Sequence, residues 1–130
     1  MEPKLVTEKK LLSILDELTK LEIFIHWPTT GTKLQEIENL LDENFWEVGA
    51  SGKRYSRESA LRVLEERAHK QNNEVWVNKD FHCTEIAKNN YLLTYTVSQG
   101  ERLTERSSIW RKSENGFKLV YHQGTIVTKD

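Results

Sequence analysis

The sequence predicts an α+β domain, with helices first and an antiparallel sheet after them. Three observations carry this. Apolar residues recur at spacings of three and four up to Ile25, as on one face of a helix. From Val75 onward β-rich runs take over. Between those runs stand Asn89-Asn90, Gln99-Gly100 and Asn115-Gly116, residue pairs that suit tight turns.

In chain order, Leu11, Ile14, Leu18, Leu21 and Ile25 form the stripe of a first helix, widened by Leu12, Leu15 and Phe24. Trp27-Pro28 ends it, because the proline ring disfavours helical geometry in the residue before it. Thr29 to Gly31 reads as a loop, and Thr32 with Gln35 has the spacing of a capping box. The short helix that follows presents Leu34, Ile37, Leu40 and Leu41. Phe45 to Val48 reads as a strand closed by the turn Gly49-Ala50-Ser51-Gly52. Ser56 suits the N-cap of a third helix that buries Leu61, Leu64 and Ala68 and breaks between His69 and Asn73. Helices grouped against one face of a four-stranded meander complete the α+β arrangement.

The chain of 130 residues has the size of one domain, 1–130, and shows no internal repeat or linker. Nineteen basic and twenty acidic residues are mixed along it, giving a net charge of -1. That balance argues against nucleic acid as the main partner, since such binding rests on neutralised phosphates. No apolar stretch is long enough to span a bilayer, and the amphipathic first helix lacks the basic face of a membrane-surface helix. No signal-peptide pattern opens the chain, and the lone Cys83 allows no internal disulfide, so a cytoplasmic protein is expected.

Strand parity extends the reading to a pocket face, since side chains alternate along a strand and cross-strand partners share a side. With Lys118 outward, Phe117, Leu119, Tyr121 and Gln123 face inward, and a two-residue Asn115-Gly116 turn adds Trp110, Ser108 and Arg106. A Gln99-Gly100 turn adds Tyr91, Leu93, Tyr95 and Val97. Across Asn89-Asn90 the face gains either His82, Thr84 and Ile86 or Cys83 and Glu85, depending on turn length.

The expected ligand-binding lining is therefore Tyr95, Arg106, Ser108, Trp110, Tyr121 and Gln123. An inward arginine calls for a carboxylate, a bound anion or water, and Glu47, alternating with Phe45, is the internal candidate. Leu92, Ile109 and Val120 on the outer face point to a homodimer formed through the sheet.

No metal site is expected, because His26, His69, His82 and His122 show no ligand spacing. His82 and Cys83, as strand neighbours, point to opposite faces and cannot act on one atom. Ser107-Ser108 lacks the glycine-flanked elbow of a hydrolase, and Gly49 to Gly52 lacks the ending of a phosphate loop. No cofactor motif is present.

Three stretches resemble one known group: Phe45 to Arg57, Arg106 to Arg111, and Phe117 to Thr125. They are similar to the nuclear transport factor 2-like superfamily of cone-shaped proteins, and within it to bacterial domains of unknown function near the polyketide-cyclase-like branch. The resemblance implies a strongly curved sheet wrapped around about three helices, a central cavity open at the wide end, and frequent homodimers. It does not fix the chemistry, since the superfamily holds isomerases, dehydratases, ligand-binding domains and silent dimerisation modules.

Its enzymes place an Asp or His acid/base pair in the cavity, often with Tyr. By parity His122 points outward, so the weak catalytic candidates here are Glu47, His82 and Tyr95. The expected function is binding of a small organic molecule, an anion among the candidates. The alternatives are a proton-transfer enzyme of isomerase or dehydratase type in the same cavity, and a protein-interaction module.

Overall fold

A computed structural model describes residues 1–70 and 75–128. A short 3-10 turn, Lys9–Leu11, leads into α1, Leu12–His26. The stripe read from the sequence is the buried face, with Leu18 and Ile25 fully covered, while Leu12 at its edge stays half exposed. The helix ends at Trp27, whose N–H still reaches the Ile23 carbonyl, just before the proline that bars further helix.

The second helix, α2, Leu34–Glu38, begins one residue later than its capping signal suggested. The Glu36 carboxylate accepts the Lys33 N–H at 3.2 Å, so the box is built from Lys33 and Glu36 rather than Thr32 and Gln35. Leu40 and Leu41 leave the helix, and Leu41 opens β1, Leu41–Val48, which is longer than the Phe45–Val48 expected. The Gly49–Gly52 turn joins β1 to a short strand not foreseen, β2, Arg54–Ser56. A Cβ at Gly49 would lie 3.0 Å from the Tyr55 ring, which would have to shift to admit it.

Ser56 caps α3, Arg57–His69, by accepting the Ser59 N–H at 3.2 Å. Ala60, Leu64 and Ala68 form its buried side. The helix ends as expected at His69, with Gln71 to Asn73 of the predicted break outside the described residues.

The meander follows as β3, Trp76–Ala87; β4, Asn90–Gln99; β5, Arg102–Ser113; and β6, Gly116–Ile126. Gly116, at φ 103°, takes the left-handed conformation that a side chain would disfavour at the last turn. The strand order is β2-β1-β6-β5-β4-β3. Every junction is antiparallel except one, where β1 runs parallel to β6. The result is a mixed curved sheet with the helices against its inner face.

β4 alternates as predicted, with Tyr91, Leu93, Tyr95 and Val97 all buried. Register shifts in β1, β3 and β6 break parity elsewhere. In β3 one extra residue lies between Lys79 and His82, where Asp80 takes φ 59°, and another, Ile86, between Glu85 and Ala87; the second, next to the hairpin, sets Cys83 opposite Leu93 and His82 opposite Thr94. Cys83 is therefore the inward residue of the pair, fully buried, and His82 faces out.

In β6 the register shifts between Trp110↔Leu119 and Ile109↔Tyr121, which leaves Val120 as the extra residue. Everything after Val120 is turned over relative to the parity reading. His122, not Tyr121 or Gln123, pairs with Ser108 on the inner face.

Candidate functional site

Glu22 is the polar centre of the inner face. It lies on α1 within the apolar stripe, four residues after Leu18 and four before His26, and is completely buried. A carboxylate this deep survives only if donors replace its water. Three strands supply them. Tyr95 on β4 donates its hydroxyl to Oε1 at 2.8 Å, Ser108 on β5 donates to the same oxygen at 2.6 Å, and the Trp110 indole donates to Oε2 at 2.8 Å.

His122 on β6 completes the cluster, with Nδ1 3.2 Å from Glu22 Oε1 and 2.6 Å from Ser108 Oγ. Since the Ser108 proton goes to Glu22, charge balance at this junction puts a proton on His122 Nδ1, directed to Ser108 and Glu22. His26 Nε2 also lies 3.1 Å from Oε1 but forms no hydrogen bond, and its ring sits 4.2 Å from that of His122.

The electrostatics follow from this packing. Burial alone would raise the Glu22 carboxyl, but the hydrogen bond from His122, helped by the imidazole of His26 beside it, outweighs burial and holds the group well below its usual range. Burial, then the neighbouring His122, pushes His26 down to about 4, so it is neutral near pH 7. Burial and the adjacent carboxylate drive the Tyr95 phenol well above its usual range, keeping it a donor.

Beside this cluster opens a cavity of about 260 Å³. His26 and His122 form part of its wall, together with Glu47, Arg67, Arg106 and Trp76. Arg67, from the last turn of α3, donates to the His26 carbonyl at 3.3 Å. Arg106 donates from Nε to Thr104 Oγ1 at 3.2 Å, and its guanidinium lies 5.6 and 5.9 Å from the Trp27 and Trp76 rings, within cation–π range. Burial lowers both guanidinium pKa values. Among the described residues neither has a carboxylate within 4 Å. Glu47 is likewise without an ion pair there, and burial raises its carboxyl.

Of the lining expected from sequence, Arg106 faces the cavity and Glu47 stands there with it, though the two do not pair. Tyr95, Ser108 and Trp110 are inward as predicted but lie behind the wall, bound to Glu22. Tyr121 and Gln123 do not reach the cavity: the Val120 bulge turns them outward, where the Tyr121 hydroxyl donates to Gln123 at 2.7 Å and its ring packs 4.8 Å from Trp46. His82 is outward as well. Glu22, His26, His122 and Arg67 were not foreseen as site residues. A signal for Glu22 and His26 was available, since both fall on the buried side of the α1 stripe at i, i+4 spacing.

The strand order, with a β1–β2 hairpin joined in parallel to the end of a four-stranded meander and helices inside the curve, decides the comparison. The chain has the nuclear transport factor 2-like fold. A nuclear transport factor 2-like protein of unknown function from Pseudomonas aeruginosa superposes at TM-score 0.69 with 10% identity, covering 89% of this chain and 99% of that one. A protein of unknown function of the DUF3225 family from Pectobacterium atrosepticum gives 0.67 at 16% identity, over 98% and 99% of the two chains. A candidate ketosteroid isomerase from Parabacteroides distasonis gives 0.68 at 13% identity, over 97% and 98%. No protein-family model and no curated protein matches the sequence. The nuclear transport factor 2-like fold thus stands on structure, and the identities carry no activity across.

Proposed function

We propose that the cavity binds a small organic anion. The observation that supports this is the pair of guanidinium groups on its wall, a half-buried Arg106 and a more exposed Arg67, with no carboxylate within 4 Å of either among the described residues. Burying such a cation costs several kcal/mol unless an anion or well-placed acceptors offset it. A carboxylate ligand would do so through the planar fork of arginine. The cavity, at about 260 Å³, is just below the ~300–1,000 Å³ typical of drug-sized ligands. The test is calorimetric titration with small carboxylates. Binding that Arg106→Ala abolishes without unfolding the protein supports the reading, and absence of binding by every anion tried refutes it.

A second reading, proton transfer within the same cavity, is favoured by His122. Its ring forms part of the wall while its Nδ1 is held by Glu22 and Ser108, which leaves Nε2 as the atom that can exchange a proton with a ligand. In this reading His122 takes the part that sequence had given to Glu47, His82 or Tyr95, with Glu22 as its positioning residue. Exchange of a carbon-bound proton of a bound carboxylate with deuterium, followed by NMR, would test it. Exchange that persists unchanged in His122→Gln would refute it.

The outer sheet face, with Leu92 and Ile109 partly covered and Trp46 45% exposed, supports a homodimer formed through the sheet. Light scattering at micromolar concentration tests this, and a monomer mass would exclude it. Among the described residues no helix is long and apolar enough to cross a membrane.

A further inference from the structure

The cavity wall is overcharged for a single carboxylate. Arg67 comes from α3 and Arg106 from β5, and Arg102, exposed on β5, joins them on the wall. Three guanidinium groups thus face one carboxylate, Glu47. Glu22 acts on Arg106 only as a charge at a distance, because its oxygens are taken by Tyr95, Ser108, Trp110 and His122 behind the wall.

The arginines also act on one another. After burial, the charges of Arg67 and Arg102 are among the influences that lower Arg106, so these cations repel across the space. Arg67, exposed on α3, and Arg106, half-buried on β5, each donate one hydrogen bond out of five N–H donors, to the His26 carbonyl and to Thr104. Donors therefore remain on two different elements. One monoanion can offset one such group well, and leaves the other facing it uncompensated.

Building on the anion-binding reading, we infer that the ligand is a dianion, a short dicarboxylate whose two carboxylates are shared between Arg67 and Arg106. The Trp76 ring, beside Arg106 and on the same wall, supplies apolar surface for the carbon chain between the two carboxylates. Such a ligand offsets the desolvation of Arg106 and the repulsion between the two cations together. The geometry requires the arginines to contribute as a pair, because each must hold its own end of the ligand.

The experiment is calorimetric titration of the full chain with length-matched pairs: butyrate against succinate, and valerate against glutarate, at fixed ionic strength. At least one dicarboxylate is expected to bind ~10-fold or more tighter than its monocarboxylate counterpart, a difference in keeping with one added charge-assisted contact. Arg67→Lys and Arg106→Lys, which keep the charge but lose the planar fork, should each bring the dicarboxylate to the affinity of the monocarboxylate. Thermal melts of both variants establish that they are folded.

Equal affinity for mono- and dicarboxylates would overturn the dianion while leaving the anion reading in place. No binding by either class would overturn both. Preference for the dicarboxylate that survives unchanged in both lysine variants would place recognition elsewhere and would also overturn it.

Discussion

Glu22 Oε1 and His122 Nδ1 stand 3.2 Å apart, joining the first helix to the last strand at the centre of the protein. Neither residue could be placed there without the other elements. Tyr95, Ser108 and Trp110 come from two further strands to satisfy the carboxylate, so that one side chain ties α1 to β4, β5 and β6.

Replacing Glu22 with Gln keeps the shape and removes the charge. The amide oxygen can still accept Tyr95 and Ser108, but its NH2 then confronts the Trp110 N–H. Loss of charge-assisted bonds and one frustrated donor should cost roughly 2–4 kcal/mol. Urea denaturation measures this directly. A midpoint unchanged from the parent would show that the network does not stabilise the fold.

Stability should fall on acidification through the histidine window. His26 titrates near 4 when folded and near 6.5 when unfolded, so below 6.5 the unfolded chain binds the extra proton. The neutral-pH advantage is complete above about 6.5 and disappears as pH falls toward 4, amounting to roughly 3 kcal/mol. Glu22, lowered on folding, adds loss in the same direction at still lower pH. Denaturation midpoints for the parent and His26→Phe across pH 4–7 should show a shallower slope in the variant. Parallel curves would assign the acid sensitivity to other groups.

Glu47 carries the opposite sign. Burial raises its carboxyl, so the folded state favours the protonated form and its ionisation costs stability as pH rises past the ordinary carboxylate range. Glu47→Gln should therefore raise the melting temperature of the ligand-free protein at pH 7. A lower melting temperature would mean that the charged carboxylate is compensated after all.

Cys83 is 1% exposed on the inner face, its thiol pushed up mainly by burial. It should be inert to a disulfide reagent in native protein and should react fully on unfolding in urea. Rapid reaction under native conditions would contradict the facing that the β3 bulge gives it.

What sequence made legible, and what it did not, divides at the bulges. The α1 stripe, the Ser56 cap and the inward set on β4 were all readable, because each depends on a local period or a short side chain-to-backbone bond. Facing on β6 was readable as far as Leu119, and Val120 ended it: one unpaired residue inverts every side chain after it and leaves no mark in composition. That inversion hid His122 and promoted Tyr121 and Gln123. Glu22 was overlooked for a different reason. A carboxylate in an apolar stripe makes sense only once its donors are known, and those lie far along the chain.

The parallel pairing of β1 with β6 sets the order in which the molecule can assemble. During synthesis β1 and β2 emerge early, yet β1 finds its parallel neighbour only after Gly116–Ile126 has been made. Until then β1 is an open strand edge, and Glu22 on α1 is already present without Ser108, Trp110 or His122 to receive it. Closure of the sheet and burial of the carboxylate must therefore occur together and late, as a long-range step slowed by loop closure. A nascent chain halted before the last strand would expose an unpaired strand edge and keep the Glu22 carboxylate hydrated, its apolar neighbours on α1 open to water with it.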